Sequence, residues 1–401
     1  MNHTPLPRRD FLKIMGAGGA GAVLMPSLLT GCSGTPGTAL EPWSGPAQGM
    51  EDIRLQTLSY GLLAANPHNI QPWLIRLEGP GRCSLFVDPE RLLPETDPLH
   101  RQIHIGQGTF LENVSLAASA LGHQAEITLF PEGEYDNDTL ADLPVAHIHL
   151  KPSEDVTADP LFDVILDRQT NKRPFEDRPV TSSERARLQA LATPPDWPID
   201  SNFGLTWHWY DKEEERAAIT QVIGEAMGVE VKDHERHLET WRLFRFNEEE
   251  VERYRDGFSY GNNGITGLRR WMVERLYSRE SAKAVDSSWA QFPVDQHYEI
   301  AASTPLFGAL STSDNRRRDQ VMLGRHYQRL NLAATRLGIA IHPHSQVLQE
   351  YADMESLQQS FRQRFGFAST DTVQMLYRLG YASPVEKTPR RSLDDLLKQT
   401  S

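Results

Sequence analysis

Two stretches of the chain repeat each other at a fixed distance. Residues 108–122 (GTFLENVSLAASALG) and 324–338 (GRHYQRLNLAATRLG) share six of 15 positions, without gaps, at an offset of 216. Each places apolar residues at helical spacing: Phe110, Val114, Ala117 and Leu121 in the first, Tyr327, Leu330, Ala334 and Leu337 in the second. Each closes on Leu-Gly, where glycine can take the left-handed position beyond a helix end. Strand-like runs follow at 125–130 and 339–341. Leu-Ala-Ala is common enough for two amphipathic helices to converge on it by chance. A true repeat restricts the chain to an architecture of two related halves.

Only the first half carries the segment AANPHNIQPW at 64–73. A helix-like run over 53–63 ends there in Asn-Pro, and Gln-Pro imposes a second break. Proline disfavours helical geometry in the residue before it, so Asn66 and Gln71 are expected in extended or turn conformation. The result is a stiff loop presenting Asn69, Gln71 and His68 beside Trp73. Carboxamides carry donors and acceptors together, which suits the mixed edge of a flat heterocycle. A proline-stiffened loop over a buried tryptophan is the alternative.

The second half contributes Asp167-Arg168-Gln169-Thr170-Asn171-Lys172-Arg173-Pro174-Phe175, with three cations in six residues of an acidic chain. A forked guanidinium grips a phosphate bidentately, a hydroxyl adds a bond and lysine adds charge. A solvated surface is the other use of such a stretch. Near the end, 374–381 (QMLYRLGY) reads as a buried strand, and Lys387-Thr388-Pro389-Arg390-Arg391-Ser392 forms a third basic cluster.

Together these segments resemble the nitroreductase family, and within it the two-repeat Acg-like branch. The loop matches a flavin-contacting pattern of Ser-x-x-Asn-x-Gln-Pro-Trp, although Asn66-Pro67 stands where the serine is usual. The Arg168 stretch is similar to the family's Arg-x-Ser-x-Arg segment, with Thr170 in the serine place. The tail resembles a Gly-Tyr strand followed by Arg-x-Pro-Leu, with Ser392 replacing proline. The resemblance spans roughly 52–397, with few motifs between 180 and 300. It implies an α+β, nitroreductase-like fold in which two fused half-repeats form an intrachain pseudo-dimer around mixed sheets, with one FMN. His68, Asn69 and Gln71 would address the ring edge or ribityl chain. Arg168, Gln169, Thr170, Lys172, Arg173, Arg390 and Arg391 would address the phosphate end. The implied activity is two-electron reduction of a nitroaromatic or quinone. NAD(P)H is the family's donor, with a quinol or partner protein as the alternative outside the cytoplasm.

The amino terminus supplies an address. Arg8-Arg9-Asp10-Phe11-Leu12-Lys13 precedes a glycine-rich apolar run of about 16 residues, the pattern of a twin-arginine signal. Such a run is short for a membrane span. Leu29-Thr30-Gly31-Cys32 is similar to a lipobox, so Cys32 is the expected lipidation site and the protein is expected on the periplasmic side, anchored by lipid. A spanning anchor or a free periplasmic form is the alternative. The expected division is signal 1–31, tether 32–50, first repeat 51–155, and second repeat 156–401 with a helical insertion at about 211–285. Cys83 is the only other cysteine of the 401 residues, which excludes an internal disulfide framework or cysteine metal site. It is expected to be buried. The net charge of −13 argues against nucleic acid as a partner.

Residues 255–267 (RDGFSYGNNGITG) form a glycine-rich loop with Phe258 and Tyr260. A cover over a flavin face and an ordinary surface loop are the two readings. His234 and His237 lie near Glu235 and Glu239, but no second metal motif accompanies them, so no metal is expected. His342 and His344 flank Pro343 and either line the pocket or shape a turn. No Gly-x-Ser-x-Gly or His-Glu-x-x-His occurs, leaving hydrolase chemistry without a foothold. The rival to an enzyme is a non-catalytic flavin-binding or flavin-sequestering protein closed by the insertion.

Overall fold

The first half of the chain runs α1 (Ile53–Gly61), β1 (Trp73–Leu77), β2 (Arg82–Val87), α2 (Arg101–Ala120), β3 (His123–Leu129) and β4 (Ala146–Pro152). The second half runs through the same series: α3 (Ser182–Ala192), β5 (Thr206–Tyr210), β8 (Leu306–Thr312), α9 (Arg317–Arg336), β9 (Ala340–Pro343) and β10 (Thr372–Gly380). Helix α10 (Glu355–Arg364) lies between its last two strands. Between β5 and β8 stand α4 (Glu213–Lys232), α5 (His234–Arg242), β6 (Phe244–Arg245), α6 (Glu248–Tyr254), β7 (Phe258–Ser259), α7 (Gly267–Leu276) and α8 (Ser287–Ala302). The computed structural model describes residues 37–193, 203–265, 267–276 and 287–398. The expected signal at 1–31 and Cys32 lie outside the described residues.

The protein is α+β. Its two four-stranded sheets have the orders β1-β2-β4-β3 and β5-β8-β10-β9. Counted from the start of each half, the two paths are the same. The ladders within both sheets are antiparallel. Residues 78–81 turn β1 into β2, whereas the whole of 211–305 separates β5 from β8. The insertion expected at about 211–285 therefore occupies the place of a hairpin turn and continues to β8. After β10 the chain leaves the second sheet and returns to the first. Leu397 bridges Ile75 in parallel, and the Lys398 amide donates to the Ile75 carbonyl at 2.6 Å. An unpaired outer edge of β1 offers such carbonyls, so residues 397–398, expected with the second repeat, pack on the first sheet.

Helices α2 and α9 cross at the centre, and both ends of the pair keep the offset of 216. The expected apolar faces are buried at Phe110, Val114, Ala117, Tyr327, Leu330 and Ala334. Leu121 and Leu337 are half-buried C-caps, and Gly122 and Gly338 follow at φ 70° and 67°. Burial extends beyond one face because polar side chains bond across the crossing, as Gln328 Nε2 does to Asn113 Oδ1 at 2.7 Å. A β-carbon on Gly108 would lie 1.9 Å from the Val321 carbonyl oxygen, and one on Gly324 would lie 2.0 Å from that of Ile105. Those contacts exchange under the offset, since 105 maps to 321 and 108 to 324.

Residues 37–50, expected as part of a tether, are docked where described. Glu41–Ser44 forms a 3-10 turn, Ala39 is buried, and its carbonyl accepts from the Arg390 amide at 2.8 Å. The indole of Trp43 provides the apolar surface that makes this docking favourable. Cys83 is buried on β2, and burial pushes its thiol up to about 12.

Candidate functional site

The loop after α1 has an unusual backbone. Asn66 is extended (φ −156°, ψ 159°), while His68, Asn69 and Gln71 are left-handed at φ 46°, 56° and 54°. Left-handed non-glycine residues cost roughly 1 kcal/mol or more each and persist only where surroundings impose them. Here Asn66 Oδ1 accepts from the Gln71 amide at 2.8 Å, and Arg91 Nη1 donates to the Ile70 carbonyl at 3.1 Å. Asn69 Nδ2 donates to the carbonyls of Gly257 and Pro389, each at 2.9 Å, and its Oδ1 accepts from Arg390 Nη1. The loop thus ties the insertion and the C-terminal segment together.

This bend forms one wall of a cavity of about 380 Å³, within the usual range for ligand sites. Gly106 and Thr109 of α2 line it next to Asn66 and His68. Arg168, Gln169, Thr170 and Lys172 line it from the second half, and Thr388 and Arg390 from the tail. The carboxamide loop and the cationic stretch, distant in sequence, share this one cleft.

The cations are poorly compensated. Arg168 is 4% exposed, its Nε and Nη1 have no hydrogen-bond partner, and burial lowers its pKa to about 10. Burial lowers Lys172 to about 8, with its Nζ 4.3 Å from the Phe258 ring centroid. Lys387 is also lowered to about 8, by burial and the charge of Arg168, and donates to the Leu166 carbonyl at 2.5 Å. Arg390 is buried beside Arg168, and its Nη2 donates to the carbonyls of Leu63 and Ala64. Among the described residues no carboxylate pairs with any of these four. The Trp43 ring lies 4.5 Å from Lys387 Nζ, 5.0 Å from the Arg390 guanidinium and 5.9 Å from that of Arg168. Its Nε1 donates to the Thr388 carbonyl at 2.8 Å.

Three expected site residues stand outside the cavity wall. The fully buried Gln71 donates to the Arg255 carbonyl at 2.9 Å and accepts from the Arg391 amide at 2.8 Å, so its carboxamide is occupied by the protein. Arg391 is drawn the other way, to the Gln71 carbonyl at 3.1 Å and Asp88 Oδ2 at 3.3 Å. Arg173 packs against Gly264, while its own carbonyl accepts from Arg378 Nη2 at 2.6 Å. Asn69 lines the cavity, but its carboxamide holds Gly257, Pro389 and Arg390. Gln169 Oε1 accepts from the Val385 amide at 3.1 Å.

Trp43 and Lys387 were not among the candidates read from sequence. Lys387 adjoins the Arg390 cluster, a signal that could have found it, whereas nothing in the Gly/Pro-rich surroundings of Trp43 marks it. The insertion is part of the wall as well. Phe258 and Tyr260 line the cavity, and Asn262 Nδ2 holds the carbonyls of Glu386 and Lys387 at 3.1 and 3.0 Å. His342 lines the cavity and accepts at Nδ1 from Arg378 Nε at 3.0 Å. Burial and the Lys172 charge push His68 down to about 4, so it is neutral at physiological pH. His237 accepts from Trp241 Nε1 at 2.7 Å. Among the described residues no group of three His, Cys, Asp or Glu is placed to hold a metal.

No protein-family model matches the chain. Over 361 residues it is 26% identical to a protein of Mycobacterium tuberculosis strain H37Rv named as the NAD(P)H nitroreductase Acg, covering 86% of this chain and 95% of that one. A Serratia protein named as the NAD(P)H nitroreductase PigM is 24% identical over 214 residues, 52% of this chain and 55% of that one. Among solved structures, the FMN-dependent nitroreductase NfnB from Mycobacterium smegmatis, in complex with NADPH, aligns with a TM-score of 0.36 at 20% identity, over 59% of this chain and 95% of that one. The chain is thus similar, along most of its length, to a mycobacterial protein named as an NAD(P)H nitroreductase of the Acg kind.

Proposed function

We propose that the protein is an FMN-dependent oxidoreductase of the nitroreductase type, passing two electrons to a small acceptor such as a nitroaromatic or quinone. The observation that carries this reading is the convergence of Arg168, Lys172 and Arg390, without carboxylate partners among the described residues, on a cavity that the Asn66–Asn69 bend also lines. The donor set fits a phosphate-bearing flavin. A phosphate would offset the uncompensated charges of Arg168 and Lys172, which line the cavity. Arg390 is already fixed by Asn69 and two carbonyls, so its guanidinium is positioned without cost to a ligand. When bound, FMN supplies the electron chemistry. The protein's residues orient it, and Phe258 and Tyr260 add aromatic surface to the cavity wall.

The names of the relatives support NAD(P)H as donor; a quinol or protein donor is the alternative for an exported form. We read the molecule as two fused copies of one unit, supported by the matching strand orders and the reciprocal glycine contacts. Twin-arginine export and lipidation at Cys32 remain our proposal for its location, supported by the sequence at 8–32.

A second reading, a flavin-binding protein that does not turn over, is favoured by the way the insertion is tied down: Gly257 to Asn69, and Asn262 to the tail. The test is an absorption spectrum of the purified chain with mass identification of the released cofactor, then reduction and reoxidation with nitrofurazone or menadione. FMN that cycles supports the enzyme, and FMN that does not cycle supports the second reading. A protein that binds no flavin sinks both.

A further inference from the structure

The cavity is polarised. Arg168, Lys387 and Arg390 gather around Trp43, Lys172 lies against Phe258, and the insertion itself supplies an acidic, aromatic end. Glu230 on α4 lines that second end, is 4% exposed, and among the described residues makes no hydrogen bond or ion pair. Burial pushes its carboxyl up to about 7, against the pull of Arg236 and with the help of Glu239. Neither neighbour is free to pair with it. Arg236 Nη1 is held by Asp353 Oδ2 at 2.9 Å and its guanidinium lies 3.7 Å from the Tyr351 ring centroid. Glu239 accepts from the Thr96 amide at 2.8 Å and hydroxyl at 2.5 Å. His237 is not a counter-charge either, because burial lowers its pKa.

The walls around this end are aromatic. Trp241 stacks on Phe246 at 5.8 Å and 19°, and meets Phe244 at 5.5 Å. Phe244 packs edge-on against Tyr260 at 4.7 Å. All four line the cavity, with Met227 completing the surface. An unpaired carboxylate taken out of water costs several kcal/mol, a penalty that a cationic ligand removes. Aromatic faces attract cations in the same place. A neutral apolar ligand would need the aromatics but not Glu230.

We propose that this end of the cavity binds an organic cation, a protonated amine or quaternary ammonium carried on an aromatic or quinonoid body, with Glu230 as its counter-ion. The ligand's role as electron acceptor rests on the proposed oxidoreductase reading; its binding does not. The two ends then divide the labour by sign: phosphate at the Arg168 end, cation at the Glu230 end.

The probes are (4-nitrobenzyl)trimethylammonium and neutral 4-nitrobenzyl alcohol, titrated calorimetrically into the full chain at about pH 8, above the Glu230 titration. The cation should bind at least about tenfold more tightly, and Glu230→Gln should reduce that preference to about twofold or less, with flavin absorbance unchanged. Glu230→Asp, which keeps the charge, should retain the preference and guards against misfolding of the amide variant. Equal binding of both probes to the unaltered protein overturns the proposal, as does a preference that survives in Glu230→Gln. Loss of turnover with both probes at unchanged binding would make Glu230 an acid toward the acceptor, which also overturns it. Discrimination by a protein without flavin would leave the cation site standing while the oxidoreductase reading falls.

Discussion

Gly108 and Gly324 face each other across the central helix crossing, where the position of a Gly324 β-carbon lies 3.0 Å from the Gly108 Cα. Each glycine also opposes a carbonyl of the other helix, and the two carbonyls, of Ile105 and Val321, are related by the same offset as the glycines. Mutual contacts of this form resemble those of an isologous interface.

Gly108→Ala should therefore destabilise the protein by about 3 kcal/mol or more, since the clash is with backbone that cannot rotate away. Gly228→Ala on α4 is the control: nothing lies within 4 Å of its added carbon, and the change should stabilise by up to about 1 kcal/mol. Urea unfolding of both variants measures the difference. Similar midpoints would show that the crossing tolerates a methyl group.

Arg168→Ala should have opposite effects on the two forms of the protein. Without ligand, removing a buried guanidinium with two unpartnered nitrogens should leave stability unchanged or raised by about 1 kcal/mol. With FMN offered, retention should fall by roughly 10- to 100-fold as a charged phosphate contact is lost. Flavin content after gel filtration, together with melting temperature with and without FMN, reads both. Unchanged retention would remove Arg168 from the phosphate assignment.

The helical repeat, the proline-broken loop and the run of cations at 168–173 were legible because each depends on periodicity, proline placement or charge density, which a sequence carries locally. The α+β class and the meeting of residues 66–69 with 168–172 were expectations of the family resemblance. The orientation of individual carboxamides was not legible. Gln71 and Asn69 have the same donors and acceptors, and only the fold decides that Gln71 spends them on Arg255 and Arg391. Arg390 and Arg391 are likewise adjacent, yet one turns to the cavity wall and the other to Asp88. Trp43 was hidden because its role arises only when residue 39 meets residue 390.

One flavin per chain is expected, because the equivalent place across the crossing is built differently. The cavity uses Gly106 and Thr109 of α2; their counterparts at the offset are Met322 and Arg325. Arg325 Nε donates to Glu112 Oε2 at 2.8 Å, filling that side with an ion pair. No second Asn-x-Gln-Pro-Trp segment occurs in the chain. Flavin-to-protein ratios from absorbance and amino-acid analysis should converge on one, and a ratio near two would break the argument.

Anion affinity should fall as the pH rises through the range where Lys172 and Lys387 titrate. Burial lowers Lys172 from 10.5 to about 8, and Lys387 from 10.5 to about 8. Both are bases with depressed folded values, so between those limits the unfolded chain holds protons that the folded chain has lost. Stability without an anion thus rises with pH across that window, and the penalty is complete below the lower limit. A bound phosphate favours the ammonium forms and must weaken as they deprotonate. His68, pushed down to about 4, stays neutral throughout and adds no slope. FMN dissociation constants measured from about pH 7 to about pH 10 should therefore increase with pH. Lys172→Met should remove part of that increase, and Lys172→Met with Lys387→Met should flatten it. A slope that persists in the double variant would place the titrating group elsewhere and detach these lysines from the anion.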